Sequence, residues 1–158
     1  MRKIISVVFC LLLLFSCSDH RDKYYSDHGE WDDVRLPLIK PYEAIQLNGE
    51  TGWFVQIQES VDSNRLFSAP NSQRINIVND FVFLYGKKTL VNSNEADEGW
   101  FVLEPKRKLE KGFFSHLQYK KYLDSLGIKE PKLYNIDMIA RYQADHDTID
   151  WRAINTNH

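Results

Sequence analysis

The densest cluster of groups able to do chemistry is Asp145-His146-Asp147-Thr148-Ile149-Asp150, one imidazole and three carboxylates within six residues. Such a set can hold zinc or calcium. It lacks the His-x-x-x-His pair that places two ligands on one helix face, and it lacks the glycine and terminal glutamate of a calcium-binding loop. A solvated turn is the simpler reading, so no metal is expected. His20 and His28, with Asp19, Asp22 and Asp27, form a second donor set, but ligands on a flexible stretch bind weakly. Hydrolysis would need a nucleophile, a base and an oxyanion site, and the chain has no Gly-x-Ser-x-Gly elbow and no glycine-rich phosphate loop. Ser115 beside His116 is better placed to cap a helix. Glu95, Asp97 and Glu98 group carboxylates in a stretch read as exposed loop, where nothing would tune them for acid–base work. No catalytic residue and no cofactor is expected.

Two further patterns suit binding. Lys106, Arg107 and Lys108 with Lys111, joined by Lys120 and Lys121, offer a basic surface for anionic headgroups or an acidic partner, against the plainer reading of a solvated turn. Trp53, Trp100 and Trp151 could together stack on sugars. Trp53 and Trp100 each follow a glycine at the start of an expected strand, which favours a place in the core instead.

The thiols address the chain rather than react. Arg2 and Lys3 make a positive start, Ile4 to Phe15 an apolar run, and Leu14-Phe15-Ser16-Cys17 a lipobox of the kind cut before its cysteine. The apolar run is about a dozen residues, short of the roughly 17 to 25 that span a bilayer. Phe15 is bulkier than the small residue usual at its position, which resembles the relaxed lipoboxes of Bacteroidota. Cys17 is thus expected to carry a covalent lipid, and two or three acyl chains hold far more firmly than one. Cys10 leaves with the signal, so no thiol remains for a disulfide, a nucleophile or a metal. The cell envelope follows as the location, on the outer membrane, facing the periplasm or the surface.

The elements follow from composition and period. Without residues 1–16 about 140 remain, enough for one core and short for two. The whole chain has 20 basic and 22 acidic residues, and losing Arg2 and Lys3 makes the rest more acidic. That balance gives no nucleic-acid footprint. An exported fold without disulfides relies on its apolar core, and the 13% aromatic content supplies large side chains for one. Residues 17–33 read as a lipidated, polar tether in which Tyr24, Tyr25 and Trp31 could pack back, and 34–158 as one globular unit.

Glu43 to Asn48 and Gly52 to Gln58 read as a hairpin, with Trp53, Val55 and Ile57 on one face. Glu59 to Ser72 reads as loop; Arg74–Val78 and Phe81–Tyr85 read as strands about a bend at Asn79-Asp80, with Gly86 as the exit. Asn92 to Gly99 reads as a polar loop before a strand stopped by Pro105. From Ser115 the period becomes helical: Ser115 and Gln118 resemble a capping box, Tyr119, Tyr122, Leu123 and Leu126 form one stripe, and Gly127 and Pro131 end it. Within Lys132 to Ala144, Leu133 to Met138 fits a strand, while Ile136, Ile139 and Tyr142-Gln143 fit a short helix. The fold class expected is α+β, an antiparallel, meander-like sheet with one amphipathic helix packed against it.

Gly99-Trp-Phe-Val-Leu-Glu-Pro-Lys-Arg-Lys, Gly112-Phe-Phe and Ser115 to Leu126-Gly-Ile128 resemble small bacterial lipoproteins of unknown function. In these a strand opening on tryptophan, a charged turn and an amphipathic helix ending in Leu-Gly-Ile follow an antiparallel meander. The resemblance covers Leu36 to Ile128, implies no catalytic residues, and leaves Lys129 to His158 outside it. Function is expected to be that of a membrane-anchored, noncatalytic module for an unidentified protein partner, of which an inhibitor or immunity role is one form. Glycan binding is the alternative, and a small hydrolase a more distant one. Palmitate-analogue labelling should be lost in Cys17→Ser; a label that persists there would overturn the anchor.

Overall fold

Seven strands follow one another in the sheet as they do in the chain. The computed structural model describes residues 22–29, 33–48, 50, 52–58, 62 and 64–156. The strands are β1 (Asp33–Pro37), β2 (Tyr42–Leu47), β3 (Trp53–Ile57), β4 (Ser68–Val78), β5 (Phe81–Val91), β6 (Asn94–Glu104) and β7 (Leu109–Phe113). Each pairs antiparallel with its neighbour. Tight reversals make this possible: Asn79 and Asp80 between β4 and β5, and Asn92 and Ser93 between β5 and β6, all have positive φ. Paired left-handed residues match the twist of the flanking strands. A short 3₁₀ turn, Pro105–Arg107, joins β6 to β7.

The expected exit at Gly86 is corrected, as are the later parts of the expected loops, 68–72 and 94–99. β4 begins at Ser68, β5 runs on to Val91 and β6 starts at Asn94. Pro70 sits where the β3–β4 register shifts, a place where a strand tolerates a residue without an N–H. The basic turn likewise contains a strand, β7.

The sheet is rolled, not flat. Tyr42 on β2 donates to Glu110 on β7 across 2.5 Å, and Arg65 donates to the Tyr42 hydroxyl at 2.8 Å and to Glu110. One face therefore packs largely on itself, through Tyr42, Val55, Ile75, Leu84, Phe101 and Leu103.

The expectation of a single helix is also corrected. A short helix α1 (Lys23–Ser26) precedes the sheet, and α2 (His116–Ser125), α3 (Ile136–His146) and α4 (Trp151–Thr156) follow it. Ser115 caps α2 by accepting from the Gln118 N–H at 3.3 Å, and the chain leaves through Gly127 at φ +67° with Ile128 N–H bonded to Leu123 O. Tyr119 and Leu123 are buried against Phe83 and Val102, while Tyr122 and Leu126 are half-buried. The ambiguous stretch after it splits: Tyr134–Asn135 form β8, paired with β4, and Asn135 then caps α3. Ile136 and Ile139 of α3 and Ile154 of α4 join the inner core. Helices thus serve both faces, each filling area the roll leaves open. Among the described residues no helix is long and apolar enough to cross a membrane.

The stretch preceding β1 packs back in part. Tyr24 is buried, its hydroxyl donating to Tyr42 O, and the Arg35 N–H bonds His28 O at 2.9 Å. Residues 1–16, Cys17, His20 and Trp31 lie outside the described residues.

Leu123 has no exposed surface. Truncating a buried leucine removes its transfer energy and leaves a cavity, so Leu123→Ala should cost about 2 to 5 kcal/mol in denaturant unfolding. A loss below about 0.5 kcal/mol would mean that the stripe does not hold α2 down.

Candidate functional site: a charged cleft where a strand changes partner

β4 has one edge and two partners along it. β3 takes its first half, to the Ser72–Trp53 pair, and β8 takes Arg74 and Ile75. Between them the β4–β5 register also shifts, at Ser72/Arg74. Asn71 enters the irregularity at φ +53° and its side-chain amide donates to Lys88 O at 2.8 Å. Lys88 is itself at φ +47°, so both strands kink together. The alternation of buried and exposed residues breaks there. Lys87 and Lys88 on β5, and Asp97 and Glu98 on β6, are exposed in succession.

The kink opens a cleft of about 820 Å³. Asn71 to Arg74 line one side, the two lysines and two carboxylates another, and Trp53, Asn135 and Asp137 the end where β3 and β8 approach. That size suits a small ligand or a protruding loop, but the lining is charged and amide-rich where drug-like sites are mostly apolar. Trp53 presents no open ring: it is 4% exposed and its indole N–H donates to Asp137 at 2.7 Å, tying β3 to the first turn of α3. Arg74 lies 5.5 Å from the Tyr85 ring centroid, and the Tyr85 hydroxyl donates to Glu98 at 2.6 Å. Burial first, then the Glu98 carboxylate, pushes the Tyr85 phenol up to about 12. Lys87, Lys88 and Asp97 have no ion pair among the described residues.

A smaller depression of about 450 Å³ adjoins the cleft and shares Arg74 and Glu98 with it. There Tyr85 and Trp100 lie 5.3 Å apart, Trp100 and His116 5.7 Å apart, and His116 meets Glu130 at 2.6 Å. Trp100 is half-buried, and Trp151 packs beside the inner core on α4. The three tryptophans therefore form no common platform.

The motifs of the sequence are mostly occupied. His146 stacks on Tyr142 with centroids 4.1 Å apart and its Nδ1 is 2.9 Å from Tyr142 O; Asp147 is the left-handed end of α3. Asp150 accepts from the Arg152 and Ala153 N–H groups at 3.0 Å each, capping α4. Asp22 caps α1, and Asp27 accepts from Gly29 N–H at 3.2 Å. No group of three or more potential metal-binding side chains occurs among the described residues. Ser115 is a cap, and its neighbour His116 is turned to Glu130.

The basic run has local partners: Lys106 with Asp80, Arg107 with Glu104 at 3.4 Å, Lys108 with Asp62 at 3.8 Å, and Lys111 5.2 Å from the Tyr122 ring. Exposed pairs of this kind contribute little stability, but they offset the local charge.

Sequence reasoning missed Arg74, Tyr85, Lys87, Lys88, Asn135 and Asp137. The one local signal was Lys87-Lys88 interrupting a β-rich run just after Gly86. Compared with family models, curated proteins and solved structures, the chain matches none.

The Tyr85 phenol yields a pH prediction. A phenol raised from 10 to about 12 favours the folded state while neutral, so its contribution is complete below pH 10 and is lost as pH rises toward 12. Glu98→Gln removes the repelling charge and should lower the Tyr85 midpoint, read as the 295 nm titration difference from Tyr85→Phe. An unchanged midpoint would mean that burial alone sets it.

Proposed function

We propose that this chain is a noncatalytic protein-interaction module, held at a membrane of the cell envelope by a lipid on Cys17, that receives a charged segment of a protein partner in the β4 cleft. The observation that carries the reading is the exposure of Lys87, Lys88 and Asp97 around that cleft, without ion pairs among the described residues. Charges of both signs, fixed on strands rather than on a loop, favour one complementary surface and repel mismatched ones. An inhibitor or immunity protein is one form this takes. The basic run at Lys106, Arg107, Lys108 and Lys111 is the weaker candidate surface, because three of its four charges face a carboxylate and the fourth, Lys111, lies against the Tyr122 ring.

Glycan binding is the second reading, favoured by the depression in which Trp100 and Tyr85 lie beside Arg74 and Glu98. A half-buried indole beside planar charged groups suits the C–H faces and hydroxyls of a sugar. A single half-buried tryptophan makes it the lesser of the two.

Affinity capture from native membranes separates them. Lys87→Glu with Lys88→Glu should reduce recovery of a specific partner at least tenfold, while Lys106→Glu with Lys108→Glu leaves it within twofold. Equal loss in both pairs would remove the cleft from the reading. Retention on a glycan array that Trp100→Ala abolishes would favour the second.

A further inference from the structure

We propose that residues 22–29 are a latch that shortens the leash to the bilayer and holds the face carrying Lys23, Tyr25 and Lys40 at the lipid headgroup layer. The inference rests on the lipid anchor at Cys17 proposed above. Its structural basis is Arg35 on β1, a guanidinium only 4% exposed. Its Nε donates to Glu43 at 2.6 Å, and its Nη1 donates to the Tyr24 and Asp27 carbonyls at 2.8 and 2.5 Å. One buried cation thus holds the middle of α1 and the residue that ends it. The Tyr24 ring lies 4.7 Å from the same guanidinium, its hydroxyl bonds Tyr42 O, and the Arg35 N–H takes His28 O. Asp22 accepts from Tyr24 N–H at 3.0 Å and pairs with Lys40 at 3.3 Å. Residues 22–28 are therefore fixed to the fold.

The geometry of reach then fixes a face. From Cys17 to Asp22 is about five residues, at most about 18 Å of extended backbone, whereas a free tether as far as Asp33 would extend to about 55 Å. Whatever surrounds Asp22 must stay near the headgroups. Lys23, Tyr25 and Lys40 are exposed there, Tyr25 at 41%. The charges nearly cancel, since Asp22 pairs with Lys40 and Asp27 lies 3.7 Å from Arg35. A tyrosine and lysine stems suit the interfacial layer, but this patch has too little net charge to hold itself on lipid. The short leash holds it there.

The test uses the full lipoprotein, purified from membranes and placed in phosphatidylcholine vesicles with and without phosphatidylglycerol. A fluorophore on Asp145→Cys reports height by energy transfer to labelled headgroups. Ten Gly/Ser residues inserted before Asp22 should raise the mean height by about 10 Å. The same insert after Gly29 should leave it unchanged, and phosphatidylglycerol should alter neither. An equal rise from the two insertions would overturn the latch and leave the anchor standing. Failure of all forms to join the vesicles would overturn the anchor, and the latch with it. Closer approach with phosphatidylglycerol would overturn the uncharged contact in favour of an anionic one.

Discussion

The structure depends on a bend through the middle of the sheet. Gly86 and Gly99 face each other on β5 and β6, and Gly112 follows on β7 beside Phe101. A Cβ at Gly99 would lie 2.7 Å from a Thr89 methyl and 2.8 Å from a Val91 methyl, so those side chains occupy the space a larger residue would need. The Phe101 ring lies over both Gly99 and Gly112 in the same way. Bare backbone on the inner side lets the strands curve, as glycine kinks do in rolled sheets. The curvature carries β7 round toward β2, where Tyr42, Arg65 and Glu110 close the gap. The inner core can then be built mostly from opposite parts of one sheet, with α3 and α4 completing it.

The bend also accounts for the cleft. At Gly86 a Cβ would stand 3.0 Å from the Asn71 carbonyl, so β4 and β5 approach tightly where both depart from regular pairing. Beyond that point β3 has ended and β8 has yet to begin, and a strand with an edge between two partners leaves room beside it. The ends of the gap are fixed by Trp53 to Asp137 and by the Asn135 cap of α3. The charged groups thus stand on paired strands while their tips remain in water. For the binding role proposed above, that division keeps the ordering cost small.

Local rules were readable wherever a residue acts on its near neighbours. Ser115, the Tyr119–Leu123 face and Gly127 marked α2, and Asn79-Asp80 marked a reversal, because caps and turns are satisfied within a few residues. Alternation failed for β5 and β6, since the kink exposes two residues in succession on each strand and so makes one long strand look like a strand and a loop. β7 was hidden for a related reason: its five half-buried or exposed positions carry no two-residue period. The candidate site was less readable still. Its groups come from β3, β4, β5, β6 and the start of α3, and only the exchange of β3 for β8 along β4 brings them together. The dense acidic motif at Asp145–Asp150 drew attention by composition, yet its spacing serves helix ends.

The segment docked on β1 has a consequence for how copies of the chain coexist. β1 is the terminal strand of an open row, and a terminal strand with free N–H and C=O groups is a template on which another molecule can extend the sheet. Here the Arg35 N–H is already taken by His28, and the guanidinium keeps residues 24 and 27 along the same border. At the other end of the row, β7 is short and turned inward by the roll. Wherever many copies are crowded together, these two devices disfavour edge-to-edge polymerisation, and the borders of the sheet remain the property of a single chain.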